Sequence, residues 1–235
     1  MILRILFPAL GLIALVFYLA EKTRRYTLKA VFLKTLVSIL FVALGVCGAY
    51  RALIGSRAIL APFVVTGLFF GLLGDVWLDL KYVYPQQDRA YTLAGFCSFG
   101  LGHVLYLTGL SLQARTDAKT LLSALLIAAL GTLLVLLSEK PMKLRYGALK
   151  PVVVGYGLLL FGVVGLSALI AIGRGLADPC ANLFFAGAVL FALSDLILSG
   201  TYFGEGRERP VDLILNYLTY YPGQYLIALS LFFLR

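Results

Sequence analysis

The sequence predicts an all-α polytopic membrane protein with eight transmembrane helices. Hydrophobic residues make up 61% of the 235 positions and charged residues only 13%, a balance far from that of a soluble domain. Apolar windows of roughly 17 to 25 residues, the length that crosses a hydrocarbon core of ~30 Å, can be drawn eight times. The polar links between these windows are too short to form a separate soluble domain.

These windows predict one transmembrane domain over residues 1–235. The first window carries Arg4 in its flank, as a signal peptide does, but "FYLAEK" is a poor cleavage site and the apolar run is long. We therefore expect a retained helix there. The windows are 2–20, 28–50, 58–80, 90–113, 121–137, 149–172, 181–203 and 211–234.

The cations are divided unequally between the two faces that eight crossings would create. One face would carry twelve of the 20 lysines and arginines and the other seven, with Lys34 inside the second window. Because the more basic face is usually cytoplasmic, we expect both termini outside. The basic links are typical of topology signals and contacts with anionic membrane lipids, and nothing in them indicates nucleic acid. The twelve are Lys22, Arg24, Arg25, Lys29, Lys81, Arg89, Lys140, Lys143, Arg145, Lys150, Arg207 and Arg209.

The two halves of the sequence resemble each other. "FFGLLGDVWL" aligns with "VLFALSDLIL", which places Asp75 on Asp195, and "GHVLYLTGLSL" aligns with "GQYLIALSL", which places His103 on Gln224. A third match joins "LKAVFLKTL" to "LKPVVVGYG" at nearly the same offset. The pattern predicts a 4+4 tandem repeat with halves 1–113 and 119–235. Halves of four helices share one orientation, so we expect Asp75 and Asp195 at equivalent depths and facing one another.

Several polar residues fall inside the apolar windows, in the half of the bundle near the basic face. Such groups are costly in a membrane and normally face the bundle interior or a wet cavity. Asp75 and Asp195 are the strongest candidates, because neither is near a helix end and each follows a small residue, Gly74 or Ser194. The supporting candidates are Lys34, His103, Tyr156, Ser194, Tyr221 and Gln224.

Some of these candidates, and two further polar residues, can also be explained by a structural role alone. Asp79 lies near the interface and is expected to be a solvated helix end. Lys34 can extend to the basic face, and His103 can serve as an interhelical hydrogen bonder. Tyr106 and Tyr156 can be packing residues.

"TYYPGQYL" predicts an irregular helix. Pro222 cannot donate a backbone hydrogen bond and its ring clashes with the carbonyl of Leu218, so a kink is expected there. The backbone groups freed by a broken helix need protein or water partners. Tyr221 and Gln224 are therefore expected to border a polar cavity, with a simple packing kink as the alternative.

Four blocks of the sequence resemble those of a known family. They are "GLLGDVWL", "FGLGHVLY", "GAVLFALSDLILS" and "TYYPGQYLIALS", and together with Lys34 they look like the lysoplasmalogenase family, the YhhN-like integral membrane proteins. The resemblance covers nearly all of the chain. It implies hydrolysis of the vinyl ether bond of lysoplasmalogens to a fatty aldehyde and glycerophosphoethanolamine or glycerophosphocholine. We expect a bacterial inner membrane as the location, and the depth of the polar residues predicts that the site opens toward the basic, cytoplasmic face.

Vinyl ether hydrolysis needs an acid that protonates the β-carbon and an anion that stabilises the oxocarbenium ion. Paired carboxylates divide labour in this way in glycosidases, and we expect Asp75 and Asp195 to do so here. Gln224, Tyr221 and His103 could orient the water or the carboxylates. Lys34 and the basic rim could hold the lipid phosphate.

Two competing functions were weighed. A three-His or Cys/His zinc site cannot be built from one histidine and three scattered cysteines, which are expected to be free buried thiols, so no metal or cofactor is expected. A small-molecule or lipid transporter would share the repeats, broken helices and intramembrane charges. The clustering of polar groups toward one face favours the hydrolase, because a transporter needs a path to both faces.

Overall fold

Eight α-helices account for nearly all of the described chain. In the computed structural model, residues 2–22, 27–55, 58–204 and 210–234 are described. Three short 3-10 turns, Pro85–Gln87, Gly147–Leu149 and Leu231–Phe233, adjoin the helices. The helices are α1 Leu3–Lys22, α2 Leu28–Gly55, α3 Leu60–Val83, α4 Asp88–Ala114, α5 Ala118–Leu137, α6 Lys150–Gly173, α7 Pro179–Phe203 and α8 Pro210–Ser230.

Seven of these helices, α1 to α7, are long and apolar enough to cross a membrane. Large apolar side chains such as Leu126, Leu130 and Leu134 on α5 point outward, as lipid-facing residues do. The prediction of an all-α polytopic membrane protein is therefore confirmed. The eighth window also folds as a helix, but α8 carries Asn216, four tyrosines and Gln224 and is not among the seven. Its crossing of the membrane stays a prediction.

Helix starts follow from local sequence. The side chain of Asp117 accepts a hydrogen bond from the backbone N–H of Thr120 and caps α5. Asp178 accepts from the backbone N–H of Cys180 at 2.8 Å and caps α7, and Pro179 occupies the first helical position, where no N–H is needed. These caps explain why both helices begin a few residues before their apolar windows.

The chain divides into two compact units, one formed by Met1–Gly109 with Leu231–Arg235 and the other by Leu110–Ser230. The first contains α1, α2, α3 and most of α4, and the second contains α5 to α8. The duplication and the predicted repeat halves stay predictions.

Within the first unit, glycines on α3 let α4 approach closely. A Cβ atom on Gly67 would lie 2.3 Å from Cε1 of Tyr106, and one on Gly74 would lie 2.5 Å from Cε2 of Phe99. The space beside Gly74 is thus filled by an aromatic ring of α4. This packing fixes α3 at the residue before Asp75.

Within the second unit, α7 and α8 cross at two glycines. A Cβ atom on Gly187 would lie 2.7 Å from the carbonyl oxygen of Gly223, and one on Gly223 would lie 2.9 Å from the carbonyl oxygen of Gly187. Small residues at a crossing let two backbones come into direct contact. The two glycines therefore set the separation of α7 and α8.

The connection between α5 and α6, residues 138–149, packs within the second unit against the end of α7. Leu144 forms a backbone bridge to Gly204, and the N–H of Arg145 donates to the carbonyl of Phe203 at 2.7 Å. Leu144 and Tyr146 are buried, and the Tyr146 ring packs edge-on against Phe203. This connection is anchored to the end of α7.

Candidate active site

Four charged side chains form one buried group in the first unit. Lys22 ends α1, Lys34 lies in the second turn of α2, and Asp75 and Asp79 lie one turn apart in the second half of α3. All four are at most 4% exposed. We call Lys22, Lys34, Asp75 and Asp79 the charged cluster.

Asp75 contacts two side chains of α2, those of Lys34 and Ser38. Its Oδ1 lies 3.3 Å from Nζ of Lys34, and its Oδ2 accepts a hydrogen bond of 2.6 Å from the hydroxyl of Ser38. Ser38 also lies 3.1 Å from the carbonyl oxygen of Lys34, one turn earlier on the same helix. The structure thus brings together Asp75 and Lys34, two of the residues predicted from the sequence.

Asp79 corrects one expectation. It is 2% exposed and not a solvated helix end. Its Oδ1 lies 2.8 Å from Nζ of Lys22 and 3.4 Å from Nζ of Lys34, and the Tyr18 hydroxyl lies 3.0 Å from its Oδ2. The reason is that α1 packs against this end of α3 and brings a lysine and a tyrosine to it. A charge near a helix end needs no solvent when a neighbouring helix supplies its partners.

The formal charges of the charged cluster cancel, because it contains two ammonium groups and two carboxylates. Lys22 also lies 4.0 Å from the centroid of the Tyr82 ring, within cation–π distance. Removing a charged side chain from water costs several kcal/mol per ion. Opposite charges and hydrogen bonds compensate this cost, so a buried charged cluster is stable only when each charge has its partners. Loss of any one member leaves an uncompensated buried charge.

The second unit contains another predicted pair. The hydroxyl of Tyr156 on α6 donates a hydrogen bond of 2.5 Å to Oδ2 of Asp195 on α7. Tyr156 is half-buried, and so is Asp195, in contrast to Asp75. A tyrosine hydroxyl is a neutral partner, whereas Asp75 faces an ammonium group.

Ser194 makes backbone contacts. Its hydroxyl donates to the carbonyl of Phe191 at 2.7 Å, and its own carbonyl accepts 2.7 Å from the side-chain amide of Asn216 on α8. Asn216 is buried and ties α8 to the turn of α7 that carries Asp195. These contacts position the residue before Asp195.

Pro222 does not interrupt α8, and the kink expected there stays a prediction. Helix α8 continues from Pro210 to Ser230 with Pro222 inside it and facing outward. Tyr221 and Gln224 are on the buried side, where Tyr221 stacks on Tyr217 with ring centroids 5.9 Å apart. A single proline on the outer face removes one backbone hydrogen bond without ending the helix, because the buried face still packs.

Gln224 is fully buried, and its Nε2 lies 3.1 Å from the hydroxyl of Tyr220. Among the described residues, Oε1 of Gln224 has no hydrogen-bond partner. In the first unit, His103 is also buried and meets the Tyr106 ring edge-on at 6.2 Å. Both are polar groups of the interior, as expected for membrane helices.

Sequence reasoning missed four residues of these sites. They are Tyr18, Lys22, Ser38 and Asn216. The sequence places Lys22 only among the cations of the basic face and singles out none of the other three. A usable signal existed for the first two, because Tyr18 and Lys22 are four residues apart and share one face of α1. Ser38 is likewise four residues after Lys34.

The potential metal ligands of the described chain are scattered. Over residues 2–22, 27–55, 58–204 and 210–234, no group of three or more His, Cys, Asp or Glu side chains could hold a metal ion. The cysteines are free, with Cys180 buried and Cys47 half-buried. Cys97 is exposed, which corrects the expectation of buried thiols, because it lies on the outer face of α4.

The comparisons with known proteins identify the family. No curated protein and no solved structure matches the chain. A family model, that of the YhhN family, matches residues 29–231. The matched range contains Lys34, Asp75, Asp79, Tyr156 and Asp195, whereas α1 precedes it. Because the match covers most of the chain, the protein belongs to the YhhN family, the family of lysoplasmalogenase-like membrane proteins.

Proposed function

We propose that this protein is a membrane-embedded hydrolase that cleaves the vinyl ether bond of lysoplasmalogens. The products are a fatty aldehyde and a glycerophospho headgroup. Family membership suggests activity of this type. The observation that carries the proposal is the buried charged cluster, in which Lys34 contacts both Asp75 and Asp79 within the segment that matches the family.

The proposed reaction starts with transfer of a proton to the β-carbon of the vinyl ether. The resulting oxocarbenium ion is captured by water at the carbon that bears the ether oxygen. The hemiacetal so formed loses a proton from its hydroxyl and expels the glyceryl oxygen, which is protonated, to give aldehyde and alcohol. The chemistry requires one proton donor and one anion, and it consumes only water.

The two carboxylates are assigned by their partners. Asp75 lies beside an ammonium group and accepts from Ser38, so we assign it the anionic role that stabilises the cation. Asp195 has the neutral hydroxyl of Tyr156 as a partner, and we assign it the role of proton donor. Lys34 supports Asp75, while Gln224, Tyr221 and His103 remain proposed supporting residues. The proposed location is a bacterial inner membrane.

The test is aldehyde release by purified protein in detergent. A lysolipid with a vinyl ether chain should be cleaved, and the matched lysolipid with a saturated ether chain should not, because it has no double bond to protonate. The Asp75→Asn variant is the matched protein control. If the wild-type protein releases no aldehyde above the level without protein, the hydrolase is refuted and the transporter remains. Uptake of the intact lipid by vesicles that contain the protein would then reveal the transporter.

A further inference from the structure

Helix α1 contributes to the charged cluster although it precedes the segment that matches the family. That segment begins at residue 29, and α1 ends at Lys22. Tyr18 and Lys22 are nevertheless both within hydrogen-bond distance of Asp79. The carboxylate of α3 that stands one turn from Asp75 is thus held from α1.

Lys34 stands between two carboxylates at nearly equal distances. Its Nζ is 3.3 Å from Oδ1 of Asp75 and 3.4 Å from Oδ1 of Asp79. Lys22 is closer to Asp79, at 2.8 Å. Because Lys22 pairs with Asp79, the Lys34 ammonium can pair with Asp75.

We infer that Lys22 and Tyr18 are positioning residues for Asp75, acting through Asp79 and Lys34. By holding Asp79, they keep the Lys34 ammonium available to the carboxylate that performs the chemistry. This inference rests on the proposed function, because it takes Asp75 as the catalytic anion. Both residues contact Asp79, and Lys34 contacts both carboxylates, which is the route by which they act on Asp75.

The charge count gives the direction of the effect. Without Lys22, two carboxylates share the single ammonium of Lys34, and Asp79 draws it away from Asp75. Coulomb attraction between buried charges is strong enough to move a flexible lysine head group between two acceptors. If Asp79 is neutralised as well, one ammonium and one carboxylate remain, and Lys34 returns to Asp75.

The test compares Lys22→Met with the double variant Lys22→Met/Asp79→Asn. In the single variant we expect kcat of the folded, monodisperse protein to fall about tenfold or more, with KM changed less than about threefold. The double variant should recover most of the lost kcat, and Lys22→Arg should retain it, since the charge is kept. Tyr18→Phe should lower kcat less than Lys22→Met, because it removes a hydrogen bond but no charge.

Lys119→Met is the matched control. Lys119 is exposed on α5 and is not among the twelve cations of the basic face, so its loss should leave kcat unchanged. A double variant as slow as Lys22→Met would overturn the inference. So would a Lys22→Met protein that melts at a lower temperature but keeps the wild-type kcat, since that is the result of a purely structural ion pair.

A readout without substrate separates this inference from the proposed function. The chain has seven aspartates, so carboxyl-labelled aspartate gives a simple carbon-13 spectrum in which Asp75→Asn identifies one resonance. That resonance should shift in Lys22→Met and return in the double variant. If wild-type protein releases no aldehyde, the proposed function fails, but the resonance still tests the link between Lys22 and Asp75. An Asp75 resonance that does not shift in Lys22→Met overturns the inference.

Discussion

The hydroxyl of Tyr156 lies 2.5 Å from Oδ2 of Asp195. This pair joins α6 to α7 and gives the half-buried carboxylate a neutral donor. Such a donor holds the carboxyl group in one orientation without adding charge, which suits a group that must give up a proton and take one back. The pair therefore offers a direct test of the proton-donor role.

Asp195→Asn should lower kcat by about a hundredfold or more, because an amide cannot protonate carbon. Tyr156→Phe should lower it less, by about tenfold, since it only releases the orientation of the carboxyl group. Both rates are measured as aldehyde release. Equal losses in the two variants would contradict a purely orienting role for the tyrosine hydroxyl, because they would show that the hydroxyl is as necessary as the carboxylate.

Asp75→Asn should also abolish turnover, while Ser38→Ala should leave partial activity. The alanine variant removes the 2.6 Å hydrogen bond to Oδ2 but keeps the ion pair with Lys34. Its free energy of unfolding should fall by about 1 to 3 kcal/mol, because a buried acceptor loses its donor. Activity and melting temperature are measured on the same preparation, and full activity in Asp75→Asn would refute the anionic role.

If proton transfer to the β-carbon limits the rate, the reaction should be slower in deuterium oxide, because that proton is in flight in the transition state. The aldehyde should carry deuterium on the carbon next to the carbonyl group. Mass spectrometry at times shorter than the exchange of free aldehyde checks this. Aldehyde formed without the label would exclude protonation of the β-carbon.

Gly187→Ala should destabilise the protein by about 1 to 3 kcal/mol, because a methyl group there meets the carbonyl oxygen of Gly223. Gly200→Ala, on the same helix, is the matched control. Nothing lies within 4 Å of a Cβ atom at Gly200, so its melting temperature should stay near that of the wild type. Similar melting temperatures for the two variants would contradict the close crossing.

Much of this architecture could be predicted from sequence because hydrophobic length determines a membrane helix. The windows 58–80 and 181–203 became α3 and α7 with shifts of a few residues at their ends. Lys34, Asp75, Tyr156 and Asp195 stood out because polar groups inside apolar windows are costly. The depth of a residue in an apolar window depends on one helix alone, so it can be counted from the sequence without knowing how the helices pack.

The partners of Asp79 could not be predicted in the same way. Whether a carboxylate near a helix end meets water or a lysine depends on which helix packs beside it, and hydropathy does not specify neighbours. The continuity of α8 at Pro222 depends on its neighbours in the same way. Proline weakens an isolated helix, whereas the buried face of α8, with Tyr221 and Gly223, packs and keeps the helix continuous.

The orientation prediction also tests whether α8 crosses the membrane. A reporter fused after Arg235 should be external, and one within the 138–149 connection should be internal, because three crossings separate them. Reporter activity in intact cells gives the measurement. Two internal signals would mean that α8 does not cross, whereas an external connection with an internal carboxyl terminus would reverse the orientation.

The bridge between Leu144 and Gly204 determines how that second reporter must be built. A long insertion beside Leu144 would break the hydrogen bond from the N–H of Arg145 to the carbonyl of Phe203. It would also pull the Tyr146 side chain out of the buried cluster. Misfolded fusions would then be misread as topology. Met142 is exposed at the tip of the connection, so a cysteine there, labelled with an impermeant reagent, reports the side of the membrane while the anchor stays intact.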